Sequence, residues 1–151
     1  MIKSVTRTRS SSRKPKTSTE LELSLHGQAI KEHIFKMENK LDQTEFLGKH
    51  GITSDYRAKM VDWMVEVLST FKCSDQTFFL AIDIMDRFFK NSSRPLTSSD
   101  LHITGVVAMF IASKYEDVVP LMMKTMVNKI GHGKFSQDLI ESRELEVLKA
   151  L

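Results

Sequence analysis

The chain has 151 residues, of which 41% are hydrophobic and 27% charged; this size and balance are those of one globular domain, so we expect one domain rather than two. The formal net charge of +3 is unevenly placed: residues 1–19 hold six basic and no acidic residues, and the remainder holds 16 basic against 19 acidic residues, which offers no net field for nucleic-acid phosphates. One cysteine, Cys73, excludes an internal disulfide framework, and the longest apolar stretch, residues 103–112, has about half the length of a membrane span, so we expect neither a nucleic acid nor a membrane as a partner.

Residues 1–19 are rich in serine, threonine, lysine and arginine and predict a disordered basic tail. So few apolar side chains cannot offset the entropy that a chain loses when it becomes ordered. The tail is interpreted either as a solubilising leader or, because RSSSRKPK places hydroxyl groups among basic residues, as a segment for nuclear import or phosphorylation. The residues do not choose between these interpretations.

Residues 20–53 predict an amphipathic N-terminal helix followed by a polar linker. Along the helix, positions on one face recur every three to four residues, with charged residues between them. These positions are Ala29, Ile30, His33, Ile34, Met37 and Leu41. The linker begins at Asp42, contains Gly48 and Gly51, and leads to the core helices.

Residues 54–151 predict an all-α domain of five helices, because no segment alternates between apolar and polar residues with period two. Serine or threonine caps followed by an acid in the first turn mark most of the helix starts. The helices are expected from Thr53 or Ser54 to about Phe71, from Ser74 to about Lys90, from Leu101 to Tyr115, from Pro120 to Gly131, and from Ser136 to the last residue. The third helix is apolar nearly all round, which indicates a central helix packed on every side. The apolar positions of the fifth helix are Leu139, Ile140, Leu145, Leu148 and Leu151.

The sequence holds no pattern typical of a catalytic, metal or nucleotide site, so we expect no enzyme, no metal and no cofactor. Its five histidines are scattered and are interpreted as solvent-facing or helix-end residues. Asp83 and Asp86 lie three residues apart without a matching Glu-x-x-His, which favours salt bridges over a carboxylate metal site. Cys73 lies beside Lys72 and is interpreted as a small semi-buried residue rather than a reactive thiol.

Lys114 closes the most apolar helix of the chain, directly after FIAS. A lysine at that position must extend to solvent or find a partner, because an unpaired buried ammonium is costly. Its candidate partners are Glu144, Glu116 and Asp117. Two interpretations stay open: a surface pair that presents one donor and one acceptor to the backbone of another protein, or an internal salt bridge.

Four stretches, in order along the chain, resemble the cyclin box: YRAKMVDWMVEV, AIDIMDRFF, GVVAMFIASKYED and ESRELEVLKAL. The helix around EHIFKMENKL lies where cyclins of the A and B types carry an N-terminal helix. The resemblance implies a five-helix cyclin box with a central apolar helix. It also implies a regulatory subunit that binds and activates a cyclin-dependent protein serine/threonine kinase in cell-cycle control, in the nucleus or the cytoplasm, and does no chemistry itself.

The resemblance also assigns kinase-binding residues. Lys114 and Glu144 match the lysine and glutamate with which cyclins grip the kinase backbone, and Glu116 follows within the same motif. Ile34 and Met37 fall where the leading helix of the family touches the kinase.

Two further sets of residues follow from the resemblance. Arg57 and Asp86 match an arginine and an aspartate that pair inside the box as scaffold residues. The substrate-docking patch of the family is matched by Met60, Trp63 and Glu66. Lys59 stands where the family has an apolar residue, so we expect this patch to bind substrates with basic Arg-x-Leu motifs only weakly.

A second hypothesis is a transcription-factor-like adaptor of the same fold, associated with nucleic acid and without kinase activation, because such cores share the five-helix architecture and the tail is basic. Cyclins usually carry a second helical repeat, and the resemblance stops inside the fifth helix. We therefore expect the chain to be a fragment, a truncated form or a short isoform.

Overall fold

The computed structural model describes residues 18–38 and 45–151. Residues 1–17 of the expected tail lie outside the described residues, and residues 18 and 19 begin the first helix. The chain divides into two compact units, residues 1–42 and residues 43–151. The described part is helical, without a strand, which confirms the all-α prediction.

Helix α1, Ser18–Glu38, is the described element of the first unit and matches the expected amphipathic helix. Its apolar side chains are more than half exposed at Ile30, Ile34, Phe35 and Met37. The ammonium of Lys31 lies 5.8 Å from the centre of the Phe35 ring. Leu41, the last expected apolar position, lies outside the described residues.

The second unit begins with a segment that was expected to be a polar linker. It contains a short helix, α2 (Glu45–Gly48), and Phe46, Leu47 and Ile52 are buried in the core. His50 is buried with them: one ring nitrogen is 2.6 Å from the carbonyl oxygen of Phe89, and the other accepts the N–H of Leu96 at 3.3 Å. The interpretation of His50 as a solvent-facing or helix-end residue was therefore wrong.

The core helices are α3 (Ser54–Thr70), α4 (Asp75–Asn91), α5 (Ser98–Glu116) and α7 (Gln137–Ala150), with the short α6 (Met123–Thr125) between the last two. Each long core helix begins with a serine or threonine whose hydroxyl accepts a backbone N–H from the first turn, as the cap pattern predicted. Helix α5 starts three residues before the expected Leu101, because Thr97 and Asp100 form a reciprocal capping box.

The fourth helix differs from its prediction. Pro120 does not open it: residues 117–122 form a loop that bends at Val118 and Val119, and α6 starts at Met123 and continues as a π-helical segment, Met126–Ile130. The hydroxyl of Ser113 accepts the N–H of Leu121 at 2.7 Å, and this hydrogen bond holds the loop of residues 117–122 against the end of α5.

Helix α5 is the central helix, as predicted, with eleven of its nineteen residues buried. It packs against α3, α4 and α7. Gly105 lets α3 approach closely, because a side chain at that position would overlap the methyl group of Met60. The core is completed by Phe88 and Phe89 of α4, whose rings meet edge to face at 5.9 Å.

One ion pair joins the first two core helices. Arg57 of α3 donates from Nε and Nη2 to the two carboxylate oxygens of Asp86 of α4, at 2.8 and 2.5 Å. The structure thus brings together the two residues that the resemblance paired. Asp83 is also paired, with Arg87 one turn later at 3.6 Å, so Asp83 and Asp86 are both salt-bridged as interpreted.

Candidate functional site

Lys114 and Glu144 form an ion pair between the last turn of α5 and the middle of α7. The ammonium also lies over the face of Phe110, 4.1 Å from the ring centre, which fixes the position of the charge. The side chain of Lys114 is 40% exposed and that of Glu144 is 16% exposed. The ammonium of Lys114 thus reaches the surface, whereas the carboxylate of Glu144 is largely covered.

The end of α5, which carries Lys114, is anchored to the start of α4. Asp117, the C-terminal cap of α5, accepts the N–H of Ser74 at 3.0 Å and the hydroxyl of Thr77 at 2.8 Å. Burial alone would raise the pKa of Asp117, but these hydrogen bonds outweigh it and hold the pKa below its ordinary value. The carboxylate is thus charged at neutral pH and fastens the two helices together.

Exposed apolar side chains follow Lys114 along the chain. Tyr115, Val118, Val119 and Met122 are each at least 70% exposed, and Val118 is 99% exposed. Single exposed apolar residues are common on monomers, but several in one short segment make that segment a candidate interaction surface. Glu116 lies within the same segment and is exposed.

Helix α7 adds to this surface, and here the structure differs from the simple expectation for an apolar helix face. Only Ile140 and Val147 of α7 are buried. Four of the leucines that the sequence supplied as apolar positions are exposed, namely Leu139, Leu145, Leu148 and Leu151. Leu148 follows Glu144 by one turn and so lies on the same side of the helix.

We call the combined region the α5–α7 surface. It consists of Lys114, Tyr115, Val118, Val119, Met122, Glu144 and Leu148. The region thus combines a pair of opposite charges with exposed apolar side chains near it in the sequence, which is the composition of a protein interface. Ile34 and Met37 belong to α1 in the other unit, where both are exposed, and they are described there by themselves.

A second concave feature lies where α3 meets the start of α5. This groove, which we call the Trp63 groove, has a volume of about 380 Å³. It is lined by Tyr56, Lys59, Met60, Trp63, Ser98, Leu101, His102, His132 and Lys134. The docking-patch prediction named Met60 and Trp63, which line it, and Glu66, which does not.

Sequence reasoning missed five residues of the groove, which are Ser98, Leu101, His102, His132 and Lys134. His102 lies between two aromatic rings, 5.1 Å from Trp63 and 5.2 Å from Phe135, measured between ring centres. Burial, reinforced by the positive charges of Lys134 and His132, lowers the pKa of His102. No local signal connects the loop after the π-helical segment with α3, so only the fold brings these residues together.

The described residues hold no set of three histidine, cysteine, aspartate or glutamate side chains that could bind a metal ion. Within the same ranges, none of the helices combines the length and apolar character of a membrane span. Cys73 is partly buried, and burial together with the nearby Asp117 raises the pKa of its thiol to about 12. That pKa agrees with its interpretation as a semi-buried residue rather than a reactive thiol.

Comparisons with known proteins identify the family of the chain. A family model described as the N-terminal domain of cyclins matches residues 27–151. The G2/mitotic-specific cyclin-B1 of Xenopus laevis is 32% identical over 106 residues, which cover 70% of this chain and 26% of that protein. The G2/mitotic-specific cyclin-A of Patella vulgata is 38% identical over 100 residues, which cover 66% of this chain and 23% of the relative.

The G1/S-specific cyclin-E of Caenorhabditis elegans is 31% identical over 104 residues, which cover 68% of this chain and 20% of that protein. The chain thus spans about a quarter, or less, of the length of these relatives. The family match nonetheless extends over more than half of this chain and includes every core helix. The chain therefore belongs to the cyclin family and is similar to cyclins of the A and B types.

Proposed function

We propose that this protein is a regulatory subunit that binds a cyclin-dependent protein kinase through the α5–α7 surface and favours the active conformation of that kinase. The observation that carries the proposal is the Lys114–Glu144 pair, whose ammonium is exposed and whose helix end is followed by exposed apolar side chains. In this proposal the protein does no chemistry itself, and the kinase carries out the phosphoryl transfer.

The pair is suited to hold the main chain of another protein. An ammonium has three donor hydrogens, so Lys114 keeps donors after it has bonded to Glu144. The carboxylate of Glu144 likewise keeps lone pairs that accept from a backbone N–H. Because Phe110 already holds the ammonium in place, little side-chain entropy remains to be lost when a partner binds.

The apolar part of the α5–α7 surface supplies the binding free energy that the charges alone do not. Surface charges contribute modestly, since water screens them, whereas burial of Val118, Val119 and Met122 removes apolar area from water. In this proposal the polar pair sets the register of the kinase segment, and the apolar side chains stabilise the complex.

Activation follows from differential binding. A subunit that binds the active kinase conformation more tightly than the inactive one shifts the population toward the active form, by no more than that difference in affinity. The relatives are named G2/mitotic-specific and G1/S-specific cyclins, which supports a role in cell-cycle control without selecting a phase. Such a role would place the protein in the nucleus or the cytoplasm.

Mutation of the pair tests the proposal. The double variant Lys114→Ala, Glu144→Ala should weaken co-purification with a cyclin-dependent kinase by about thirtyfold, the effect of losing an interfacial hot spot of about 2 kcal/mol. The matched control is Asp55→Ala, Lys59→Ala, which removes an exposed ion pair of 2.8 Å on α3. Helical circular dichroism should be unchanged in both.

Two assays separate the outcomes. Affinity capture with the 151-residue chain measures kinase binding, and phosphorylation of a histone by the captured kinase measures activation. Undiminished capture by the Lys114, Glu144 double variant would contradict the assignment of the contact. Capture of kinase without histone phosphorylation would contradict activation and favour the adaptor hypothesis.

A further inference from the structure

A concave feature apart from the Trp63 groove lies where the end of α3 meets the start of α4. We call it the α3–α4 groove, and its volume is about 330 Å³. Its lining includes Val65 and Leu68 of α3, Cys73 and Ser74 of the turn, and Asp75 and Phe78 of α4. None of its lining residues belongs to the Trp63 groove or to the α5–α7 surface.

Much of the α3–α4 groove is apolar. Leu68 is buried, and Phe78 is partly buried against the core. Val65 is 47% exposed, and Phe79, whose ring centre is 5.3 Å from that of Phe78, is 69% exposed. Burial raises the pKa of the Cys73 thiol to about 12, so this side chain carries no charge at neutral pH. The groove is therefore suited to receive a bulky apolar side chain.

The charged residues around the groove are mainly acidic. Asp75 lines it and is exposed, and Asp62 lies three residues before Val65 on the same side of α3. The ion pairs of the described residues include neither aspartate. Lys72 is exposed and is the basic residue nearest in the sequence, but within the described part of the chain no lysine, arginine or histidine lines the groove. The partial charges of the two helix ends that meet here have opposite signs and offset each other.

Asp117 adds a negative charge behind the groove. It accepts the N–H of Ser74 at 3.0 Å and the hydroxyl of Thr77 at 2.8 Å. Burial acts to raise the pKa of Asp117, but these hydrogen bonds hold it below its ordinary value, so the carboxylate is charged at neutral pH. Both donors are neutral, and no ion pair of the described residues includes Asp117. Its charge therefore remains available to attract a cation that approaches the groove.

We propose that the α3–α4 groove docks a basic linear segment of a partner protein. A bulky apolar side chain of the segment would lie between Val65 and Phe78, and a flanking lysine or arginine would face Asp75. Charge complementarity selects this occupant, because an acidic segment would be repelled by Asp62, Asp75 and Asp117. A second copy of this chain would bring the same aspartates face to face, which disfavours self-association through this groove.

The proposal does not depend on kinase binding, since the α3–α4 groove and the α5–α7 surface have no residue in common. Failure of one leaves the other in place. The groove also carries its own reporter: Cys73 is the only cysteine of the chain, so protection of its thiol from alkylation reports occupancy of this position. Trp63, the only tryptophan, reports binding at the Trp63 groove in the same sample.

The experiment adds three peptides without cysteine or tryptophan to the 151-residue chain. The first has a phenylalanine flanked by lysines, the second has the same phenylalanine flanked by glutamates, and the third is the lysine peptide with its phenylalanine replaced by serine. None of them contains an Arg-x-Leu motif. Fluorescence anisotropy of a labelled peptide measures the affinity, and the rate at which iodoacetamide alkylates Cys73 locates the bound peptide.

We expect the peptide of lysine and phenylalanine to bind roughly tenfold more tightly than either of the others, because it alone offers both the charge and the apolar side chain. It should slow the alkylation of Cys73 and leave the emission of Trp63 unchanged. Added salt should weaken its binding, because Asp75 is exposed to solvent.

Single substitutions test the two parts of the groove. Asp75→Asn should weaken binding by roughly threefold, the effect of losing one exposed charge contact. Its matched control is Asp138→Asn, which removes an exposed aspartate from the first turn of α7 and should leave the affinity unchanged. Val65→Ser should weaken binding by roughly fivefold through loss of apolar contact. Leu145→Ser, which removes an apolar side chain that is 54% exposed on α7, should have no such effect.

The proposal is overturned by equal or tighter binding of the glutamate peptide, by binding that leaves the alkylation rate of Cys73 unchanged, or by an Asp138→Asn variant that binds as weakly as Asp75→Asn does. A lysine peptide that changes the emission of Trp63 without protecting Cys73 would assign the basic segment to the Trp63 groove and would also overturn it. Absence of measurable binding of all three peptides would have the same consequence.

Discussion

The Arg57–Asp86 pair allows a quantitative test of what holds the first two core helices together. The side chains are 24% and 12% exposed, so the pair is largely withdrawn from water, and its two hydrogen bonds of 2.8 and 2.5 Å make it bidentate. Arg57→Ala would leave the carboxylate of Asp86 beneath α3 without its partner. Removal of one partner of a buried ion pair costs about 3–5 kcal/mol, and the remaining access to water here lowers the expected cost to about 2–3 kcal/mol.

Thermal unfolding followed by circular dichroism measures this cost. For a domain of this size, each kcal/mol lowers Tm by about 4 °C, so Arg57→Ala should lower Tm by roughly 10 °C. The double variant Arg57→Ala, Asp86→Ala should be more stable than the sum of the two single effects implies, with a coupling energy of about 1–3 kcal/mol. Lys59→Ala, which breaks an exposed pair on the same helix, should change Tm by no more than about 2 °C.

Strict additivity of the two single substitutions would refute the reasoning, because it would mean that the side chains act independently despite their contact. An Arg57→Ala variant with the same Tm as Lys59→Ala would also refute it. Either result would assign the packing of α3 on α4 to apolar contacts alone.

Two further predictions concern titration. Burial would raise the pKa of Asp100, but hydrogen bonds from Thr97 and Arg143 outweigh it and hold the pKa well below its ordinary value. The resulting stability is complete above about pH 4 and is lost as the pH falls below the pKa of the unfolded chain. Asp100→Asn should therefore flatten the acid limb of a plot of Tm against pH, and an unchanged limb would contradict this prediction. Because the pKa of Cys73 is raised to about 12, iodoacetamide at neutral pH should alkylate it much more slowly in the folded chain than in urea, and equal rates would show that the thiol is not protected.

Much of the helical frame follows from local chemistry that the sequence displays. The caps at Thr53, Ser74 and Ser136 act within one turn, so their residues suffice to place the helix starts. The central position of α5 follows from its composition, because a helix that is apolar nearly all round has no face to give to water. The predicted start of the fourth helix was wrong, because the loop before it is held by a hydrogen bond from the N–H of Leu121 to the hydroxyl of Ser113, which lies eight residues upstream.

The candidate site was predictable only where a motif marked it. Lys114 and Glu144 could be paired in advance because both fall within stretches that resemble cyclins. The approach of Lys134 to the Trp63 groove could not be predicted, because Lys134 is 75 residues from Lys59 and nothing near either residue indicates the other. The burial of His50 likewise depends on Phe89 and Leu96, which only the folded chain brings within reach.

The loop from Asp117 to Met122 is held at its start by the hydrogen bonds of Asp117 to Ser74 and Thr77, and near its end by the hydrogen bond between Leu121 and Ser113. A loop that is held at both ends has few alternative conformations, so it loses little conformational entropy when a partner binds. Val118 and Val119 lie between these two sets of hydrogen bonds and are therefore preorganised for contact with a partner protein. Binding there would need no prior rearrangement of the loop.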